Sequence, residues 1–224
     1  MPAAALKTEF ESLLGGHLDW QSRPTPECVP TGVPSLDDAT GGLPRGCLTE
    51  IFGPASSGRT SLLLSILAQA THRQEVCALV DAEDAFDPAS ASAAGVHLDR
   101  LLWVRSAHNA EHALKAADLL IQGGGFGLVV LDLGDTPPAT ARRISLTSWF
   151  RLRRAVENTS TVLVSVALQS NARTCAALQL ECAREHAAWS GTLHSSRLLR
   201  AVSARATSIQ RSKTCSPVFT AAAL

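Results

Sequence analysis

Three groups of residues have the types and spacing for phosphate chemistry. The first is Gly53-Pro54-Ala55-Ser56-Ser57-Gly58-Arg59-Thr60, followed by Ser61. It matches the phosphate-binding loop G-x-x-x-x-G-K-[ST] at every fixed position but one, because Arg59 stands where that loop has lysine. Such a loop aims backbone N–H groups and a helix N-terminus at a phosphate. The second is Glu83, a carboxylate able to polarise an attacking water. The third is Asp132, which follows the apolar run Leu128-Val129-Val130-Leu131. An acid in that place holds magnesium, directly or through water, and the Thr60 hydroxyl is available to the same ion. A nucleotide and its magnesium ion are the ligands this set implies.

The elements that must carry these groups are visible around them. Cys47–Phe52 reads as a strand entering the loop, and an apolar helix at about 59–71 leaves it. Val76–Val80 is a second strand, running into Asp81-Ala82-Glu83. A helix starts near Pro88, since proline suits a first turn. Leu101–Val104 is a third strand. Ala110, Ala113, Leu114, Ala117, Leu120 and Ile121 recur at helical spacing, and Gly123-Gly124-Gly125 ends that helix. After the strand at 128–132 comes a basic helix over 139–157, with Arg142, Arg143, Arg151, Arg153 and Arg154. Thr161–Ala167 is again a strand. Beyond it, Ala176–Cys182, Leu198–Gln210 and Val218–Leu224 read as strands without long helices between them. Alternating strands and helices predict an α/β fold with a mostly parallel central sheet flanked by helices, and the tail predicts antiparallel C-terminal strands. Ahead of the core, residues 3–14 read as a short amphipathic helix and 15–30, with Pro24, Pro26 and Pro30, as a linker. The expected organisation is therefore an N-terminal helix and linker over 1–30 and a nucleotide-binding core over 31–224.

The totals fit that reading. With 46% apolar residues the chain can fill a core, and no apolar run approaches the ~18–20 residues of a membrane span. Six scattered cysteines with no C-x-x-C pair suit reduced thiols in a cytoplasmic protein. The net charge is zero but unevenly placed: residues 1–140 hold 8 Lys/Arg against 17 Asp/Glu, and residues 141–224 hold 12 against 3. The basic third suits an anionic partner, either single-stranded DNA or an acidic protein.

The stretch from Thr31 to Trp103 adds a resemblance. Thr-Gly-x-x-Ser-Leu-Asp, Gly-Gly-Leu-Pro-Arg-Gly, Glu-Ile-Phe-Gly-Pro-x-Ser-Ser-Gly-Arg-Thr and Asp-Ala-Glu-Asp-Ala-Phe-Asp-Pro together resemble the RecA recombinase core, closely over residues 31–132. The resemblance implies a RecA-type P-loop NTPase fold, ATP with Mg2+, a DNA-repair setting and self-association head to tail or contact with RecA. It implies that Gly53–Ser61 binds phosphate and that Thr60 and Asp132 hold the metal. Glu83 becomes the catalytic glutamate, with Arg59 in place of the catalytic lysine, and Asp87 becomes the adenine contact. Arg211 and Lys213 match a Lys-x-Lys-x-x-x-Pro pattern whose two basic residues reach the ATP of a neighbouring subunit.

The sequence also departs from that family. Arginine is longer, planar and forked where lysine is a point charge, so Arg59 is not expected to reproduce the lysine's position. Ser90 stands where the recombinases stack an aromatic on adenine. The segments after Asp132 and after the 161–167 strand are too short for the two DNA-binding loops. Gln169 falls near the family's nucleotide-sensing glutamine but out of register. A shortened core of this kind resembles the ImuA-type branch, accessories that act with error-prone translesion polymerases in the SOS response. The expectation is weak or absent ATP hydrolysis, with single-stranded DNA or polymerase accessory proteins as partners.

Overall fold

Strands β3 (Leu48–Phe52), β4 (Cys77–Asp81), β5 (Leu101–Arg105), β6 (Leu128–Leu133) and β7 (Val162–Ala167) are short and almost wholly apolar. Strands of that composition suit a parallel sheet covered on both faces. The computed structural model, which describes residues 26–190, 198–209, 214–215 and 218–222, places them so. With β8 (Leu178–Ser190) they run parallel in the order β8-β3-β7-β6-β4-β5. Two further strands extend the sheet past β8: β9 (Leu198–Ile209) pairs antiparallel with β8, and both β10 (Thr214–Cys215) and β11 (Val218–Ala222) pair antiparallel with β9. A separate two-stranded piece joins β1 (Cys28–Val29) to β2 (Leu43–Pro44), enclosing the short helix α1 (Pro34–Thr40).

Alternation along the strands divides the core. Ile51, Leu79, Val130, Val164 and Leu180 face one side, where helix α2 (Arg59–His72) buries Leu62, Leu63, Ile66 and Leu67 against them. Leu48, Val80, Val129, Leu131 and Leu163 face the other side. There α4 (Ala110–Gly123) contributes Ala113, Leu114, Ala117 and Ile121, and α6 (Leu146–Val156) contributes Trp149, Leu152 and Val156. The fold is thus an α/β core with a parallel centre and antiparallel C-terminal strands. No helix among the described residues is long and apolar enough to cross a membrane.

Three elements differ from the sequence-based expectation. Within the linker expected over 15–30, Cys28 and Val29 form β1 and pair with β2. The basic helix over 139–157 is two helices, α5 (Pro138–Ala141) and α6. Ser145 leaves helical geometry (φ −68°, ψ 148°) and its hydroxyl accepts the Ser148 N–H at 3.2 Å, so it caps α6 and ends the preceding turn. The strand expected over 176–182 continues to Ser190, because its second half pairs with β9. The helix expected at 3–14 and the basic pair Arg211 and Lys213 lie outside the described residues.

Candidate functional site

Because β3, β4, β6 and β7 are parallel, their carboxyl ends share one edge of the sheet, where ligands bind in open α/β folds. The glycine loop leaves β3 at that edge. Gly53 is pressed against the neighbouring strand: a Cβ there would lie 2.2 Å from the Cys182 carbonyl oxygen. Its N–H donates to the Ala167 carbonyl at 3.3 Å, which ties the loop to β7 as well. Pro54, Ala55 and Ser56 are exposed, and Ser56 adopts a left-handed conformation (φ 59°). Ser57 turns inward and its buried hydroxyl has no protein partner. Gly58 (φ 90°) is the N-cap of α2. The first N–H groups of such a helix have no carbonyl four residues back to accept them, and so suit an anion. Thr60 is exposed at this end and Ser61 is half-buried beside it.

Arg59 does not extend into solvent. It is 6% exposed, and its Nη1 donates to the Gly134 carbonyl beyond β6 at 3.0 Å. Its Nε is buried without a partner. Gly134 in turn donates its N–H to Asp132 Oδ1 at 2.8 Å. A Cβ on Gly134 would sit 2.8 Å from that oxygen and 3.4 Å from Arg59 Nη1, so the three residues are closely fitted. Burial pushes the Asp132 carboxyl up to about 6; the charges of Asp81 and Asp135 add to this, while the Gly134 N–H and Arg59 oppose it. A cavity of about 160 Å³ opens here, with Arg59, Thr60, Phe86, Asp87, Ser90 and Asp132 in its wall.

The other acids have different surroundings. Asp81 ends β4 and is buried. Its carboxylate accepts the N–H groups of Glu83, Ala85 and Phe86 and the Trp103 indole N–H, which shapes the turn after the strand. Glu83 follows that turn. Its Oε1 accepts the Thr136 hydroxyl at 2.9 Å and its Oε2 lies 3.1 Å from His108 Nδ1. It therefore bridges the loops after β4, β5 and β6, and it is not in the wall of the 160 Å³ cavity. Asp87 caps helix α3 (Pro88–Ala93), accepting the N–H groups of Ala89 and Ser90 and the Ser90 hydroxyl. These bonds, the Ser90 hydroxyl first, hold its carboxyl below its ordinary range.

The structure thus brings Arg59, Thr60, Asp87, Ser90 and Asp132 to one cavity and leaves Glu83 to one side. Gln169 accepts from Arg142 Nη2 at 2.6 Å, linking the end of β7 to the segment between α5 and α6. Sequence reasoning missed Glu50. It is fully buried in β3, and its carboxylate accepts from the Ser170 hydroxyl, the Asn171 and Ala172 N–H groups and Gln179 Nε2. The signal was a charged residue inside a central strand, where burial demands partners. Asp135 was also missed; it stands in the cavity wall next to the fitted Gly134.

The donor set fits a magnesium polyphosphate in part. The loop N–H groups, the α2 N-terminus and the exposed Thr60 hydroxyl suit phosphate oxygens. The described residues hold no group of three His, Cys, Asp or Glu side chains able to bind a metal alone. A magnesium ion would rest on Thr60, Asp132 and the phosphate itself, as that ion commonly does. Arg59, at the position of that loop's lysine, is turned to Gly134.

Comparison with known proteins agrees with the geometry. The family model for the RecA N-terminal domain matches residues 14–139. Protein RecA of Chloroflexus aurantiacus is 36% identical over 161 residues, which is 65% of this chain and 46% of that protein. Protein RecA of Deinococcus radiodurans is 38% identical over 156 residues, covering 62% and 43%. Protein RecA of Methylococcus capsulatus is 49% identical over 108 residues, covering 47% and 31%. The matched part spans less than half the length of these relatives.

Proposed function

The chain belongs to the RecA family, and from that premise we propose a cytoplasmic DNA-repair protein that binds ATP with Mg2+ between subunits and hydrolyses it weakly or not at all. One observation carries the reading: the Arg59 guanidinium is buried and bound to Gly134, away from the exposed part of the phosphate loop. The loop backbone, the α2 N-terminus and Thr60 hold the polyphosphate, and Asp132 shares the metal. When bound, the ion neutralises phosphate charge. Arg59 fastens the loop after β6 to α2. Glu83, engaged by Thr136 and His108, is held outside the cavity and is a poor base for a water there. Nucleotide then acts chiefly as an adhesive in assembly, with Arg211 and Lys213 reaching the neighbouring subunit's ATP.

Equilibrium binding and turnover of MgATP by wild type and Arg59→Lys test this. Wild type is expected to bind, and Arg59→Lys to turn over faster by on the order of 10–100-fold, the scale associated with placing a charge about 1 Å better. Brisk turnover by wild type, slowed by Arg59→Lys, would overturn the reading.

A second reading is favoured by the connection between β7 and β8. It is only residues 168–177, and Glu50 clamps Ser170, Asn171 and Ala172 within it. Such a segment has little freedom to wrap single-stranded DNA. This supports an ImuA-type adaptor that recruits error-prone translesion polymerases in the SOS response. Anisotropy of a labelled dT oligonucleotide, beside pull-down of purified polymerase accessory proteins, separates the two: the adaptor shows the second without the first.

A further inference from the structure

A cleft with an exposed charged lining lies away from the nucleotide cavity, between the starts of α4 and α6, with a volume of about 600 Å³. Its floor is apolar: Ala110 and Leu114 are buried, and Ile144 is partly so. Its wall carries Lys115, Arg143 and Arg151. Arg151 pairs with Asp118 at 3.4 Å, whereas Lys115 and Arg143 have no ion pair among the described residues. His108 and Glu111 complete the polar lining, and His108 is engaged by Glu83. On the same helix as Ser148 and Arg151, Leu146 and Phe150 are 45% and 48% exposed, although α6 has an apolar inner face already satisfied by Trp149, Leu152 and Val156.

These features narrow the occupant. The volume is that of a small-ligand pocket or a few peptide residues. The two unpaired cations call for an anionic group, and the aliphatic floor beside them calls for an apolar one. No Phe, Trp or Tyr lines the cleft to stack a base, as a single-stranded nucleic acid would require. We infer that this cleft docks a short segment of a partner protein in which an acidic side chain stands beside a large aliphatic one. The carboxylate meets Lys115 and Arg143, and the aliphatic group rests on Ala110, Leu114 and Ile144. The inference does not depend on the nucleotide reading.

The test uses the full chain, labelled with 15N, and the probe peptide acetyl-Ser-Asp-Leu-Glu-Leu-Ser-amide. The expected result is a saturable shift of amides within 108–115 and 143–151. Lys115→Glu with Arg143→Glu should weaken binding about tenfold or more, the scale of two lost charge contacts and the repulsion that replaces them. The same variant should bind MgATP as wild type does. Should it fail to fold, Lys115→Gln with Arg143→Gln gives the same readout. Three results would overturn the inference: no shift in the cleft at millimolar peptide, equal shifts when both peptide acids are replaced by lysine, or stronger shifts of these amides by a dT oligonucleotide. Loss of MgATP binding by wild type would defeat the nucleotide reading and leave this one standing.

Discussion

Glu50 and Asp132 are two acids on strands that flank β7 from opposite sides. In register, Glu50 faces Ser165 and Asp132 faces Val166. Their surroundings are opposite in kind. Glu50 is fully buried yet accepts four hydrogen bonds, two of them from backbone N–H groups. Asp132 accepts from Gly134 at 2.8 Å, stands near two other acids, and has its carboxyl pushed up to about 6. Glu50 is saturated by the protein itself and fixes the β7–β8 connection. Asp132 is under-satisfied and faces a cavity, a condition that a bound cation relieves. The difference separates an acid satisfied within the fold from one that still faces a cavity.

The largest effect is expected at Glu50. Glu50→Ala leaves four donors without their acceptor, two of them on the backbone, and should cost about 3–5 kcal/mol in urea unfolding. A loss under about 1 kcal/mol would show the network to be incidental. Asp132→Asn should act in the other direction, stabilising the ligand-free protein by about 1–3 kcal/mol at pH 7.5. The sign follows from the raised folded-state value, from 3.8 to about 6. Between about pH 4 and 6 the folded chain binds more protons than the unfolded one, so stability falls as pH rises through that window. Denaturation across this range should show that slope in wild type and lose it in Asp132→Asn, while magnesium-dependent nucleotide binding is lost as well. The smallest effect is expected for Gln179→Ala, about 1 kcal/mol, because Glu50 keeps its other donors. A larger loss there would mean that the side-chain donors, rather than the backbone pair, hold Glu50.

The sequence made the carboxyl-end edge of the sheet legible because its signals are local. A glycine loop between an apolar strand and an apolar helix specifies its own geometry, and Pro88 marks a helix start. Asp132 was legible as an acid ending a buried strand. Glu50 was not, because its partners at 170–179 are remote in sequence. The division of the basic helix was written in Ser145, but Arg142 and Arg143 prolong a helix-like composition up to it. The second half of β8 escaped notice for another reason. Ala183, Arg184, Glu185, His186 and Ala187 favour a helix, and the strand forms there through pairing with β9 and the ion pair of Glu185 with Arg205. The side of Arg59 that Gly134 occupies could not be read from residue types at all.

The close approach of Gly53 to Cys182 gives the phosphate loop a mechanical reach. With no room for a methyl group between them, the loop cannot shift toward β8 without moving it. Beyond Cys182, β8 continues to Ser190 and pairs with β9 along the way, so the strand that confines the loop is also the one on which the antiparallel C-terminal strands are built.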